Sequence, residues 1–266
     1  MRQIIGTIAV ALMAGLAVAG CTAYANAVDL REGTTLLDEG RYEEAVEAFT
    51  KVIETDPPEE QLEKAYWRRS LAFYELGRLE EALSDETALL NLVGDNPQFL
   101  AIVHLNRSRE FAGLGRYEES LTEAGSAIEL RPADDEDLAK AHLNRSVALY
   151  ELGRPEGAIH AAGAAIALHP ENNELLARAH RRKYLAFVDL NQAAEAAVEA
   201  TAVINLEPAD PELLAEAHGI RAVVHLTAGE FDSAEADLRA VAAILPEDHE
   251  WTQNALDLLG EIGVTE

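Results

Sequence analysis

The chain contains one segment that occurs twice. Residues 104–124 have the sequence HLNRSREFAGLGRYEESLTEA, and residues 142–162 have the sequence HLNRSVALYELGRPEGAIHAA. The first five letters and the central Leu-Gly-Arg are identical, and the two segments are 38 residues apart. A fixed period of this length is typical of proteins built from stacked copies of one small helical or strand unit.

The same period extends through most of the chain. Glycines recur at steps of 37 or 38 residues, with Asn191 in one slot, at Gly40, Gly77, Gly115, Gly153 and Gly229. Apolar residues before and after each glycine recur every three or four positions, which predicts an amphipathic helix on both sides. Glycine readily adopts the left-handed conformation that ends a helix, and asparagine does so at small cost. Each repeat is therefore predicted to be two antiparallel helices.

Small residues near each turn resemble the tetratricopeptide repeat (TPR) pattern. Seven positions before the turn stand Gly33, Ser70, Ser108, Ser146, Tyr184 and Ala222, and five after it stand Ala45, Ala82, Ser120, Ala158, Ala196 and Ala234. The resemblance implies an all-α solenoid, a right-handed superhelix of about six helix pairs over residues 25–247. Residues 248–266 would form a capping helix and tail.

The chain departs from that family in two respects. The usual period is 34 residues, and the four extra residues here make about one helical turn. We expect them to lengthen the first helix of each pair. Tyr184 stands where the family has a small residue, so we expect looser or shifted packing in the fifth repeat.

The first twenty residues have the pattern of a secretory signal, with Arg2 followed by an apolar run from Ile4 to Val18. The run ends Val18-Ala19-Gly20-Cys21, which resembles the lipobox of bacterial lipoproteins. The resemblance implies a signal peptide at 1–20, a lipidated Cys21 and a short linker to residue 24. It also implies a lipid-anchored protein of the bacterial cell envelope, and Thr22 favours the outer membrane, facing the periplasm. An ordinary signal peptide or an uncleaved anchor are the alternatives.

The charge is strongly negative, with 48 acidic residues against 21 Lys and Arg and a formal net charge of −27. Nucleic acid is therefore not an expected partner, because phosphate contacts need basic residues. The segments 61–75, 99–113, 137–151, 175–189 and 213–227 differ, with 12 basic residues against 7 acidic ones. These are the predicted first helices, which in the TPR family line the concave groove. A mildly basic groove in an acidic body is the resulting expectation.

Seven residues are candidates for binding a partner in this groove: Arg68, Asn106, Arg109, Asn144, Arg178, Arg181 and Arg182. Asn144, Arg178 and Arg182 resemble part of the carboxylate clamp of chaperone-binding TPR domains, which grips the end of a peptide. The match is partial, because two further clamp slots hold Leu105 and Arg109. The expected ligand is a helix or extended peptide, acidic or ending in a free carboxylate.

Two columns of residues have competing explanations. A basic residue recurs eight positions before each turn, at Arg69, Arg107, Arg145, Lys183 and Arg221. It is expected to face the partner helix and to pair with second-helix acids (Asp85, Glu123, Glu199 and Asp237). The histidines His104, His142, His180 and His218 could form a metal ladder or pack between helices. Packing is favoured, because residues one repeat apart point in parallel and zinc needs converging ligands.

No motif for catalysis is present in the sequence: it lacks a phosphate-binding loop, a nucleophile elbow and a zinc-protease motif. We expect no catalytic residue, no metal, no cofactor and no enzyme activity. The predicted function is that of an envelope scaffold or adaptor that binds another protein. A self-associating structural spacer, hence a homo-oligomer, is the alternative, and a sensor or enzyme that uses the histidine or arginine columns is a weaker one.

Overall fold

The structure is a computed structural model that describes residues 25–92, 94, 96–168 and 170–263. The predicted signal peptide and Cys21 lie outside the described residues. The described residues form thirteen helices and no strand. The helices are α1 (residues 25–38), α2 (Tyr42–Glu54), α3 (Glu59–Glu75), α4 (Leu79–Leu92), α5 (Pro97–Gly113), α6 (Tyr117–Leu130), α7 (Asp135–Glu151), α8 (Pro155–Ala167), α9 (Asn173–Asp189), α10 (Ala193–Leu206), α11 (Pro211–Ala228), α12 (Phe231–Ile244) and α13 (Glu250–Glu261).

Helices α1 to α12 form six antiparallel pairs, each joined by the predicted turn. The turn glycines have φ between 69° and 77°, and Asn191 takes the same left-handed conformation with φ 56°. Helices α3, α5, α7 and α9 each have 17 residues, whereas the second helices have 13 or 14. The all-α fold is therefore confirmed, and the first helix is the longer one, as expected.

Capping residues explain where the first helices of the fourth, fifth and sixth repeats begin. Asp134, Asn172 and Asp210 each accept a hydrogen bond from a backbone N–H in the first turn of the helix that follows. Such side-chain caps satisfy amides that have no partner within the helix. Pro211 adds a fixed φ at the first position of α11, where its missing N–H costs nothing.

The chain divides into two compact units, residues 1–103 and 104–266. In the first unit, the core between α1 and α2 contains Leu36, Ala45 and Phe49. Gly33 is needed there, because a β-carbon at this position would lie 2.7 Å from Cε1 of Phe49. A large residue on α2 is thus accommodated by the absence of a side chain on α1.

In the second unit, the fifth repeat uses the opposite arrangement. Tyr184 on α9 is fully buried in one cluster with Ala196 and Ala200 on α10. Ala200 occupies the position, nine residues after the turn, that Phe49 occupies in the first repeat. Of the looser or shifted packing expected around Tyr184, the looser alternative was wrong, because the small side chains of α10 leave room for the ring.

The last helix, α13, packs on α12 and α11. It completes an apolar cluster with Leu238 and Val241, and its Trp251 ring lies against Gly219, where a β-carbon would come within 2.7 Å of the ring. This is the contact expected of a helix that covers the open end of a repeat stack. Within residues 25–263, apart from the three undescribed positions, no helix has the length and apolarity to cross a bilayer.

Candidate partner-binding site

The first compact unit has a cavity of about 380 Å³ between α1 and α3. Its lining includes Arg31 from α1 and Lys64 and Arg68 from α3. Glu60 also lines it, and its carboxylate lies 2.6 Å from the Lys64 ammonium. Three cations and one nearby carboxylate give this part of the first-helix surface, the solvent-facing side of the first helices of the repeats, a positive balance.

In the second compact unit, the three predicted arginines of α9 lie in different environments. Arg178 is 61% exposed and donates from Nε to Glu174 in its own helix at 3.0 Å. Arg181 donates to Glu216 of α11 at 2.7 Å and is 35% exposed. Both remain accessible from solvent, and each is partly neutralised by a neighbouring acid.

Arg182 does not lie open in a groove, contrary to the sequence prediction. Only 18% of its side chain is exposed, and its guanidinium lies 5.7 Å from the centre of the Tyr150 ring. Its Nη1 is 3.5 Å from the Glu151 carboxylate, also on the preceding first helix. Burial, followed by the nearby Arg181, lowers the pKa of Arg182.

Asn144 also serves packing between repeats. Its amide donates to the backbone oxygen of Leu105 at 3.3 Å and to the hydroxyl of Ser108 at 2.7 Å, both on α5. Asn106 and Arg109 are half-buried on that helix. Asn144 and Arg182 both stand nine positions before the turn of their repeat. Each therefore faces the first helix of the preceding repeat, α5 for Asn144 and α7 for Arg182. Of the three clamp-like residues, the structure leaves Arg178 exposed.

The basic column has the structural role that the sequence indicated, at four of five positions. Arg69 and Arg221 each form a two-pronged ion pair, with Asp85 and Asp237, at 2.7 to 2.8 Å. Arg107 donates to Glu123 at 3.0 Å, and Lys183 pairs with Glu199. These pairs tie the first helix of a repeat to its own second helix.

Three of the four histidines join the same carboxylates. Their Nδ1 atoms lie 2.5 to 2.7 Å from the acids, in the pairs His104–Glu123, His180–Glu199 and His218–Asp237. Burial alone would raise the pKa of Asp237, but hydrogen bonds from Arg221 and His218 outweigh it and lower that pKa to about 2. The histidines therefore pack between helices, and no metal-binding group of three or more His, Cys, Asp or Glu exists among the described residues.

Comparison with known proteins identifies the class. A tetratricopeptide repeat family model matches residues 30–97 and 105–173, more than half of the chain. The chain belongs to the tetratricopeptide repeat family. No curated protein sequence matches it significantly.

Solved structures of TPR proteins share the fold at low sequence identity. PilW, described as a widely conserved type IV pilus biogenesis factor, superposes with a TM-score of 0.68 at 17% identity, over 87% of this chain and 98% of PilW. YrrB, described as a TPR protein with an unusual peptide-binding site, gives 0.57 at 20% identity, over 80% of this chain and 99% of YrrB. A chain of the APC/C hetero-tetramer Cut9–Hcn1 gives 0.65 at 19% identity over 88% of this chain, which spans 42% of that longer chain.

Proposed function

We propose that this protein is a lipid-anchored scaffold of the bacterial envelope that binds a partner protein on the first-helix surface of its repeats. The observation that carries the proposal is the cationic cavity formed by Arg31, Lys64 and Arg68 in a chain whose net charge is −27. A local positive surface on an acidic protein attracts the acidic segments of a partner. TPR proteins are typically non-enzymatic scaffolds, which agrees with this role.

A peptide or helix is the ligand class that suits this surface. The cavity is lined by apolar atoms of Ala27 and Leu30 as well as by the three cations. Such a combination favours a segment with an apolar anchor and one or more carboxylates. The unusual peptide-binding site of YrrB belongs to that protein, and it agrees with a ligand of this kind.

A charge reversal on the first-helix surface tests the proposal. We expect Lys64→Glu to reduce the amount of specific partner recovered from an envelope extract several-fold, because a carboxylate in the cationic cavity would then face an acidic ligand. The readout is crosslinking to the full-length chain, affinity recovery and mass spectrometry, at low and high salt.

Arg239→Glu is the matched control for that experiment. Arg239 on the second helix α12 is 55% exposed and pairs with Glu235 four residues earlier, much as the 58% exposed Lys64 pairs with Glu60. Equal recovery with both variants would remove the first-helix surface as the binding site. Recovery of the bait alone would favour the self-associating spacer instead.

The anchor is tested at Cys21, the single cysteine of the chain. When the full-length chain is expressed in a bacterium fed an alkyne-tagged fatty acid, we expect label on the wild type and none on Cys21→Ser. Acyl chains stabilise membrane attachment by about 0.8 kcal/mol per buried CH₂, so two or more chains hold a protein firmly. Thr22→Ser is the control, and label that persists in Cys21→Ser would rule out a thiol-linked lipid at this position.

A further inference from the structure

The fourth repeat lacks the acid that completes the ion pair of the basic column. Eight positions after the turn, repeats two, three, five and six carry Asp85, Glu123, Glu199 and Asp237, whereas the fourth repeat carries Ala161. Its first helix, α7, nevertheless keeps both basic partners, His142 and Arg145. Both basic side chains are thus present without the carboxylate that holds their equivalents elsewhere.

The second partner of the column is also absent there. Arg69 and Arg221 each donate a further hydrogen bond to a threonine hydroxyl on the second helix of the preceding repeat, Thr50 and Thr201, at 2.8 and 3.2 Å. The corresponding residue for Arg145 is Gly125 on α6, which has no side chain. A β-carbon at Gly125 would have nothing within 4 Å, so the surface beside it is open.

Without these partners, Arg145 and His142 differ from their equivalents in exposure and in hydrogen bonding. Paired members of the column are 11 to 23% exposed, whereas Arg145 is exposed and, within the described part of the chain, makes no hydrogen bond or ion pair. The Nδ1 atom of His142 is buried and has no hydrogen-bond partner among the described residues. Burial, and then the Arg145 charge, lowers the pKa of His142.

We propose that the fourth repeat binds a carboxylate of a partner protein at Arg145 and His142, in the place that an internal acid occupies in four other repeats. The name Arg145 slot is used below for His142, Arg145, Ala161 and Gly125. A guanidinium fork binds a carboxylate through two charge-assisted hydrogen bonds, as Arg69 and Arg221 do within this chain. The ring nitrogen of His142 supplies a further polar contact, as His104 does for Glu123.

The slot is separate from the first-helix surface and does not depend on the function proposed for it. The equivalent cations face their own second helix, so the Arg145 slot lies between α7 and α8 and beside α6. Two kinds of protein carboxylate fit its chemistry, an Asp or Glu side chain and the free C-terminus of a chain. The experiment distinguishes between these sources.

Histidine NMR of the full-length chain in detergent tests the slot directly. The probes are N-acetylglutamic acid α-amide, which has a side-chain carboxylate alone, and N-acetylalanine, which has a terminal carboxylate alone. N-acetylglutamine amide is the neutral control. We expect saturable shifts of the His142 ring signals with at least one carboxylate, and none for His180, which already has an internal acid. The probe that binds more tightly identifies the source.

Two substitutions decide whether the shifts arise at the slot. Arg145→Gln, at an exposed position, is expected to weaken the probe at least about tenfold, the effect of losing a charge-assisted pair. Ala161→Glu supplies the acid internally and is expected to abolish probe binding and raise the pKa of His142, whereas the neutral Ala161→Gln raises it little. Unshifted His142 signals with both probes, or equal binding by Arg145→Gln, would overturn the proposal.

Discussion

Truncation of Tyr184 to alanine is expected to lower the free energy of unfolding by about 3–5 kcal/mol, the usual cost of removing a large buried aromatic side chain. Tyr184 is fully buried and packs with Ala177, Ala196 and Ala200, so no larger neighbour is at hand to refill the space. Its hydroxyl is buried without a hydrogen-bond partner among the described residues, and this burial raises its pKa. Urea unfolding followed by circular dichroism measures the change.

Val198→Ala is the control for Tyr184→Ala, because Val198 is exposed on α10 in the same repeat. Its loss is expected to change stability by less than about 0.5 kcal/mol, as for most surface substitutions. A loss below about 1 kcal/mol for Tyr184→Ala would contradict the assignment of this ring to the core. The fifth repeat would then pack as loosely as its sequence first suggested.

Replacement of Asp237 with alanine is the second large effect, expected to cost about 2–4 kcal/mol. The substitution leaves two partly buried donors, Arg221 and His218, without their carboxylate. Removing one member of a buried pair usually costs about 3–5 kcal/mol, and the partial exposure of Arg221 reduces that figure. Thermal and urea unfolding of the variant measure it.

Glu235→Ala is the matched control for Asp237→Ala. Glu235 lies on the same helix and pairs with the exposed Arg239 at 2.9 Å. Exposed ion pairs contribute about 0–1 kcal/mol, so this loss is expected to be small. Similar losses for the two variants would mean that the basic column contributes to stability no more than surface charges do.

The repeat architecture could be predicted because its signals are local. A glycine or asparagine with positive φ fixes each turn, as at Gly115 and Asn191. A period of three or four residues fixes which residues face inward. The close packing of Tyr184 could not be predicted in this way, because it depends on the alanines of α10 that face the ring. To predict that a large side chain on one helix faces small ones on the next, one must know how the two helices are aligned when they pack.

The partner-binding surface was predicted less accurately for a related reason. Adjacent residues on a helix point about 100° apart, so an error of one position moves a side chain from open surface to a helix–helix contact. Asn144 and Arg182 were assigned to the groove and lie against the preceding first helix instead. The Arg145 slot could have been found from sequence, because Ala161 breaks a column of acids that is otherwise regular from the second repeat on.

The central claim, that a partner binds on the first-helix surface, is tested most directly by site-specific photocrosslinking in cells. A photoreactive phenylalanine analogue replaces Lys64, beside the cationic cavity, or Arg239 on α12 as the outer-face control; both residues are exposed. The account predicts a discrete crosslinked protein from position 64 that is absent or much weaker from position 239. Crosslinks from position 239 alone, or from position 64 only to another copy of this chain, would contradict it.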